Sequence, residues 1–231
     1  MAGETWALRA LGERAAEARF ARLAEALGAA GTSAPVLELA NRAASDEARH
    51  FGFCVDAAAR FDVAVPDESV AIPWTATGMS DDQRLLHEVV AMCCITETLS
   101  AAFLVEMQRQ TTDPALHATV REILVDEVGH SRIGWGHLAH VYGRIDLRYL
   151  GACLPGMLSD TVGDVLFASS SPNDPALALG PYGVLARTTR REIFTACMRQ
   201  VVFPGLTQHG VDCAAGIQWL DTRSSRSGTT P

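Results

Sequence analysis

A five-residue pattern, Asp-Glu-x-x-His, stands at Asp46–His50 and again at Asp126–His130, eighty positions later. Glu and His three residues apart share one face of a helix, so both side chains of each copy can reach a single ion. With 13 Glu and 7 His in 231 residues, about 0.4 chance Glu-x-x-His matches are expected, so one copy alone says little. Requiring Asp before Glu, twice, lowers the chance to roughly a few in ten thousand. A fold is therefore required that brings Glu47, His50, Glu127 and His130 to one place.

The surrounding pattern is helical. Leu8, Leu11, Ala15, Leu23 and Leu27 recur at helical spacing from about Glu4 to Ala29. A turn at Gly28–Ser33 and Pro35 precede a second helix to about Phe61. Val63–Met79, with Pro66, Pro73 and Gly78, reads as a connection without regular structure. Ser80 with Gln83 is a capping box for a third helix, ending near Gln110. Asp113-Pro114 caps a fourth, ending near Tyr142. Two short-loop hairpins joined by a long connection predict an all-α, four-helix bundle with one long crossover. Each motif copy falls in the second helix of a hairpin.

The first helix of each hairpin must supply the remaining carboxylates. Between Val89 and Val105, Glu97 is the only charged residue. An ionised carboxylate in so apolar a segment is costly to bury unless a positive group meets it. The segment holds no cation, which points to a metal. In the first helix Glu13 and Glu17 share a face. Glu17 matches the thirty-residue gap from Glu97 to Glu127, whereas Glu13 suits a first loop that looks longer than the second. Glu13 is preferred and Glu17 is the alternative. Four carboxylates and two neutral imidazoles balance two divalent cations. Mixed oxygen and imidazole donors suit iron, with manganese as the substitute, and the lack of Cys ligands disfavours structural zinc.

Composition narrows the function further. The formal charge is −8 and all 19 basic residues are Arg, a balance that disfavours nucleic acid as partner. Aromatic residues make up 6% and apolar residues 48%, which suits closely packed helices. The six cysteines form no C-x-x-C pair, so no zinc ribbon or rubredoxin-type site is encoded. The N-terminus lacks a basic and apolar leader, and no uncharged apolar run spans a membrane. These features predict a cytoplasmic protein with reduced thiols and no membrane partner.

A Glu from each of two helices with Glu-x-x-His from two others resembles the ferritin-like di-iron carboxylate proteins. The likeness covers residues 4–142. It is nearest to bacterial ferritin-like proteins of unassigned activity, through Trp6, Glu13 and Phe20-Ala21-Arg22-Leu23. It implies a metal set of Glu13, Glu47, His50, Glu97, Glu127 and His130, with these same residues catalytic. It also implies that Asp46 orients His130 and Asp126 orients His50. Gly129 departs from the first copy, where Arg49 stands, and would either open space for a substrate or mark a helix irregularity.

Three functions are consistent with this reading. The first is a di-iron oxidase or monooxygenase that takes dioxygen, a small organic substrate and electrons from an external donor. Its motivation is the added C-terminal region, which a minimal ferritin does not need and which could cover the site. The second is a ferroxidase or rubrerythrin-like handler of iron or peroxide. The third is a metal-stabilised helical interaction module, for instance a homodimer, without catalysis. The expected organisation is a bundle over 1–145, a C-terminal helical extension over 146–221 interrupted at Ser169–Pro181 and broken or kinked at Pro204-Gly205, and a disordered tail over 222–231. His137 and His140 could line the motif face but read more simply as core or surface. Cys93 and Cys94 read as small core filling. Arg187, Arg190 and Arg191 read as a solvated face. Phe103 and Met107 read as core or as cavity wall.

Overall fold

The computed structural model describes residues 1–66, 78–169 and 174–226. Among these the chain is all-α, with seven continuous helices and no strand. They are α1 (Ala2–Ala29), α2 (Ala34–Ala59), α3 (Asp81–Gln110), α4 (Pro114–Val141), α5 (Tyr149–Val162), α6 (187–208) and α7 (Ala214–Arg226).

Local chemistry sets the helix ends. At the end of α1 the Thr32 N–H reaches back to the Leu27 carbonyl at 3.1 Å while Gly31 turns through φ +67°, a conformation that costs glycine little. At the start of α3 the capping box forms, with Gln83 N–H donating to Ser80 Oγ (3.3 Å) and Ser80 N–H to Gln83 Oε1 (3.1 Å). Asp113 Oδ1 accepts from the Ala115 and Leu116 amides, each at 3.0 Å, ahead of Pro114. The middle of the long connection expected at Val63–Met79 lies outside the described residues.

The core of the first four helices has two apolar layers. One contains Ala10, Cys54, Leu104 and Ile123. The other contains Phe20, Ala43, Cys93 and Ile133. Going up the chain, α1 and α4 run from the first layer to the second, while α2 and α3 run from the second to the first. Helices α2 and α3 are therefore parallel, with the end of α2 and the start of α3 at opposite ends of the bundle. A third cluster joins one side of α3 and the end of α4 (Val90, Ile95, Leu99, Leu138) to the C-terminal helices (Leu154, Phe194, Val202, Leu220). Helix α3 is thus shared between both parts. By length and composition it could cross a membrane, but 56% of its most apolar window is buried in this fold.

Two helices depart from α geometry. Residues Val90–Glu97 of α3 and Met198–Val202 of α6 are wound as π-helix. The second lies just before Pro204, which has no N–H to donate. Widening the turn there lets α6 continue to Gln208 instead of breaking at Pro204-Gly205. Residues 222–226, expected in a disordered tail, continue α7, which runs to Arg226. Thr222 Oγ1 bonds the Gln218 carbonyl at 2.9 Å, and the Arg223 guanidinium lies 4.1 Å from the Trp219 ring centroid. Residues 227–231 lie outside the described residues.

Glycine positions make the packing testable. A methyl group at Gly151 would lie 2.3 Å from the Asp212 carbonyl oxygen, whereas one at exposed Gly52, inside α2, would meet nothing within 4 Å. Gly151→Ala is expected to lower unfolding stability by about 1–3 kcal/mol. Gly52→Ala is expected to raise it by about 0.5–1 kcal/mol. Urea unfolding of both variants checks the pair.

Candidate metal centre

Between the two apolar layers lies a polar layer. In α2 the buried stripe runs Val36, Ala40, Ala43, Glu47, His50, Cys54, Ala57, so both motif residues point where the apolar side chains point. In α4 the stripe runs Leu116, Val120, Ile123, Glu127, His130, Ile133 and His137. Glu13 follows Trp6 and Ala10 in α1. Glu97 comes last in the π segment, whose wider turn is closed by the Thr96 hydroxyl donating to the Ala91 carbonyl five residues back, at 2.9 Å. Glu13, Glu47, His50, Glu97, Glu127 and His130 are all buried.

These six residues form two overlapping sets. Glu13, Glu47, His50 and Glu127 offer donor atoms that all lie within 4.8 Å of one another, and so do Glu47, Glu97, Glu127 and His130. Each set has three carboxylates and one imidazole, and Glu47 and Glu127 belong to both. Glu17 is half-buried and belongs to neither. His137 and His140 also stay outside the sets. His137 Nδ1 lies 2.9 Å from Thr32 Oγ1, and burial, then the nearby His140, pushes its pKa down to about 4.

The aspartates of the motifs cross over. His50 Nε2 lies 3.1 Å from Asp126 Oδ2, and His130 Nε2 lies 3.4 Å from Asp46 Oδ2. With Nε2 protonated toward the aspartate, each Nδ1 lone pair faces the carboxylates. Arg49 ties the two aspartates together, at 3.1 Å from Asp46 and 2.5 Å from Asp126. That single bridge serves both copies of the motif. Gly129 sits in regular helix with nothing within 4 Å of a built Cβ, and the helix irregularity is in α3 instead.

The electrostatics are those of crowded acids. Burial, opposed by Arg9 and reinforced by Glu47, pushes Glu13 up to about 8. Burial, followed by Glu127, holds Glu97 well above the usual carboxylate range. Glu127 is displaced the other way: burial raises it, but the neighbouring Glu97 carboxyl, His130 and Arg9 outweigh that. For His130, burial opposes the charge, yet Glu127 and Glu47 raise it to about 10. Glu47 Oε1, Glu127 Oε2 and His130 Nδ1 are buried with no hydrogen-bond partner among the described residues. The Nδ1 lies 2.9 Å from Glu47 Oε1 and 3.6 Å from Glu127 Oε2, without the alignment of a hydrogen bond. Three convergent, unbonded donors fit a cation that accepts all three lone pairs at once.

The sequence reading of the carboxylates omitted a cation of α1, Arg9, which meets Glu13 and Glu127. Arg9 Nε lies 2.8 Å from Glu13 Oε1, and Arg9 Nη2 lies 3.7 Å from Glu127 Oε1. Ser100 Oγ donates to the same Glu127 oxygen at 3.1 Å. Arg9 stands one helical turn before Glu13, a spacing from which it could have been read. Glu88 was also missed; it is buried and paired with Arg19 (2.9 Å) and Arg22 (3.4 Å). Cys93 and Cys94 are buried where α3 meets Gly134 of α4, since a Cβ there would be 2.6 Å from Cys94 Sγ.

Arg9 also lines a cavity of about 670 Å³ between α1, α3 and residues 174–190. Trp6, Phe103, Met107, Leu185, Arg187 and Arg190 form much of its wall. Arg187, half-buried, and Arg190, exposed as a solvated face requires, both line this cavity. The C-terminal segment is fixed there by the Trp6 indole N–H donating to the Tyr182 carbonyl at 3.0 Å and by the Thr112 amide donating to the Pro181 carbonyl at 3.1 Å. No protein-family model, no curated protein and no solved structure matches the chain.

The shifted groups give the metal-free chain a defined pH dependence. Glu13 rises from 4.5 to about 8, so the folded state holds its proton more tightly, and that stabilisation is lost as pH climbs through 8. His130 rises from 6.5 to about 10; its contribution is complete below 6.5 and disappears toward 10. Thermal melts without metal should therefore show Tm falling from pH 5 to pH 10. Glu13→Gln should flatten the fall below pH 8. A flat or rising Tm over this range contradicts the assignment.

Proposed function

We propose that the buried cluster holds two iron ions and that the chain is an oxygen-activating di-iron oxidase or monooxygenase of a small organic substrate, on a ferritin-like bundle. The observation that carries this reading is the junction of cluster and cavity: Arg9 is ion-paired with Glu13 on one side and lines the 670 Å³ cavity on the other. A cavity of this size is in the range of small-molecule sites. Manganese satisfies the same donor chemistry.

Glu13 and His50 would hold one ion, Glu97 and His130 the other, with Glu47 and Glu127 shared between them. Two divalent ions offset the four carboxylates, and bound iron would supply the reduction of dioxygen. The protein's own residues do the rest. Asp46 and Asp126 fix the imidazole tautomers. Arg9 and Ser100 hold the oxygens of Glu13 and Glu127 on the side nearest the cavity. The two apolar layers exclude water from the carboxylates, which strengthens every interaction among them. Oxygen insertion also consumes two electrons and two protons, so a separate reductase or reducing co-substrate is required.

The cavity favours this reading over iron or peroxide handling, which needs no organic pocket. Anaerobic titration should find about two Fe(II) per chain, and His50→Ala and His130→Ala should each remove about one. Many turnovers of added Fe(II) under oxygen with no organic molecule present would instead mark a ferroxidase. No bound metal, with an unchanged melting temperature after chelation, would mark a structural module and sink both enzymatic readings.

A further inference from the structure

The cavity beside the cluster has two kinds of wall. Trp6, Phe103, Met107 and Leu185 contribute ring and alkyl surface. The Trp6 indole N–H is already bonded to the Tyr182 carbonyl at 3.0 Å, so its ring acts as an apolar wall. Set among these are three guanidinium groups, Arg9, Arg187 and Arg190, against one carboxylate, Asp174. Asp174 is engaged locally, its Oδ1 accepting the Ala176 amide at 3.0 Å. Arg9 is engaged by Glu13 and Glu127.

Arg187 and Arg190 are different. They lie three residues apart in the first turn of α6 and so share a face. Arg187 Nη2 donates to the Ser169 carbonyl at 2.8 Å, but its Nε is buried without a hydrogen-bond partner among the described residues. Arg190 makes no ion pair among the described residues and lies over the Phe103 ring, 5.5 Å from the centroid. A buried N–H donor left unpaired is costly, and a carboxylate is the acceptor that the planar guanidinium fork matches best.

We propose that the substrate is a small organic carboxylic acid whose carboxylate docks on Arg187 and Arg190. Its apolar body lies along Trp6, Phe103 and Met107, directed toward Arg9 and the cluster. This rests on the reading of the cluster as an oxidising centre and adds the class of molecule that the centre acts on. The C-terminal region then has a specific task, because α6 brings the two arginines that select the acid.

The test uses 4-phenylbutyrate and its neutral primary amide as probes, titrated calorimetrically into the full chain, both metal-free and loaded anaerobically with Fe(II). The acid should bind about tenfold or more tightly than the amide. Arg187→Gln and Arg190→Gln should each remove most of that preference while leaving amide affinity within about twofold. Raising the salt concentration should shrink the preference. Equal binding of acid and amide, no binding of either, or a preference that survives both substitutions overturns the proposal. So does displacement of the acid by equimolar inorganic phosphate, which would mark a general anion site. Counting iron in the same samples separates the two readings. Iron uptake without acid preference overturns the carboxylate site alone, whereas acid preference without iron uptake supports that site and sinks the oxidising centre.

Discussion

Four carboxylates buried in the middle of an apolar bundle repel one another, and the fold around them is arranged to contain that repulsion. Two carboxylates about 4 Å apart repel by about 4 kcal/mol at an effective dielectric near 20. Apolar packing on both sides keeps water from relieving the strain. Protonation of Glu13 and Glu97, the charge on His130 and the guanidinium of Arg9 relieve part of it. The orphaned oxygens of Glu47 and Glu127 mark where that relief is incomplete. A pair of divalent cations would complete it and would thereby couple stability to metal binding.

Several features follow from placing such a layer precisely across four helices. The ligand-type residues of α2 and α4 lie on the same stripes as the core, so the packing that folds the bundle also aims them. The crossed aspartate–histidine contacts join α2 to α4, and Arg49 fastens that junction from outside. The π segment of α3 inserts extra backbone before Glu97, letting α3 meet the second apolar layer through Cys93 and the C-terminal cluster through Val90, Cys94 and Ile95. The C-terminal region completes a cavity wall next to Arg9, so its packing on α3 and the chemistry of the cluster share one boundary.

Much of this was legible in the chain. Helical periodicity and the Ser80 and Asp113 caps identified the first four helices, because those signals depend only on neighbours in sequence. The doubled Asp-Glu-x-x-His and the isolated Glu97 identified five of the six clustered residues, because a lone carboxylate in an apolar helix demands a partner. Glu13 was separable from Glu17 only by loop-length reasoning and resemblance. The π segment of α3 was invisible, since no proline or glycine marks Val90–Glu97. The helical continuation of α7 to Arg226 was missed because Ser- and Thr-rich composition does not register the stacking of Arg223 on Trp219.

The sequence by itself determined the all-α class, the hairpin order and the face on which each acid and histidine lies, for these are consequences of spacing along single helices. Only the tertiary structure decided which carboxylates are shared, that Glu13 rather than Glu17 enters the cluster, and that Arg9 stands between it and a cavity. Arg187 and Arg190 acquired their position in the same way. Side chains remote in sequence become neighbours only when helices pack, and the charge each one feels is set by those neighbours and by the water they exclude.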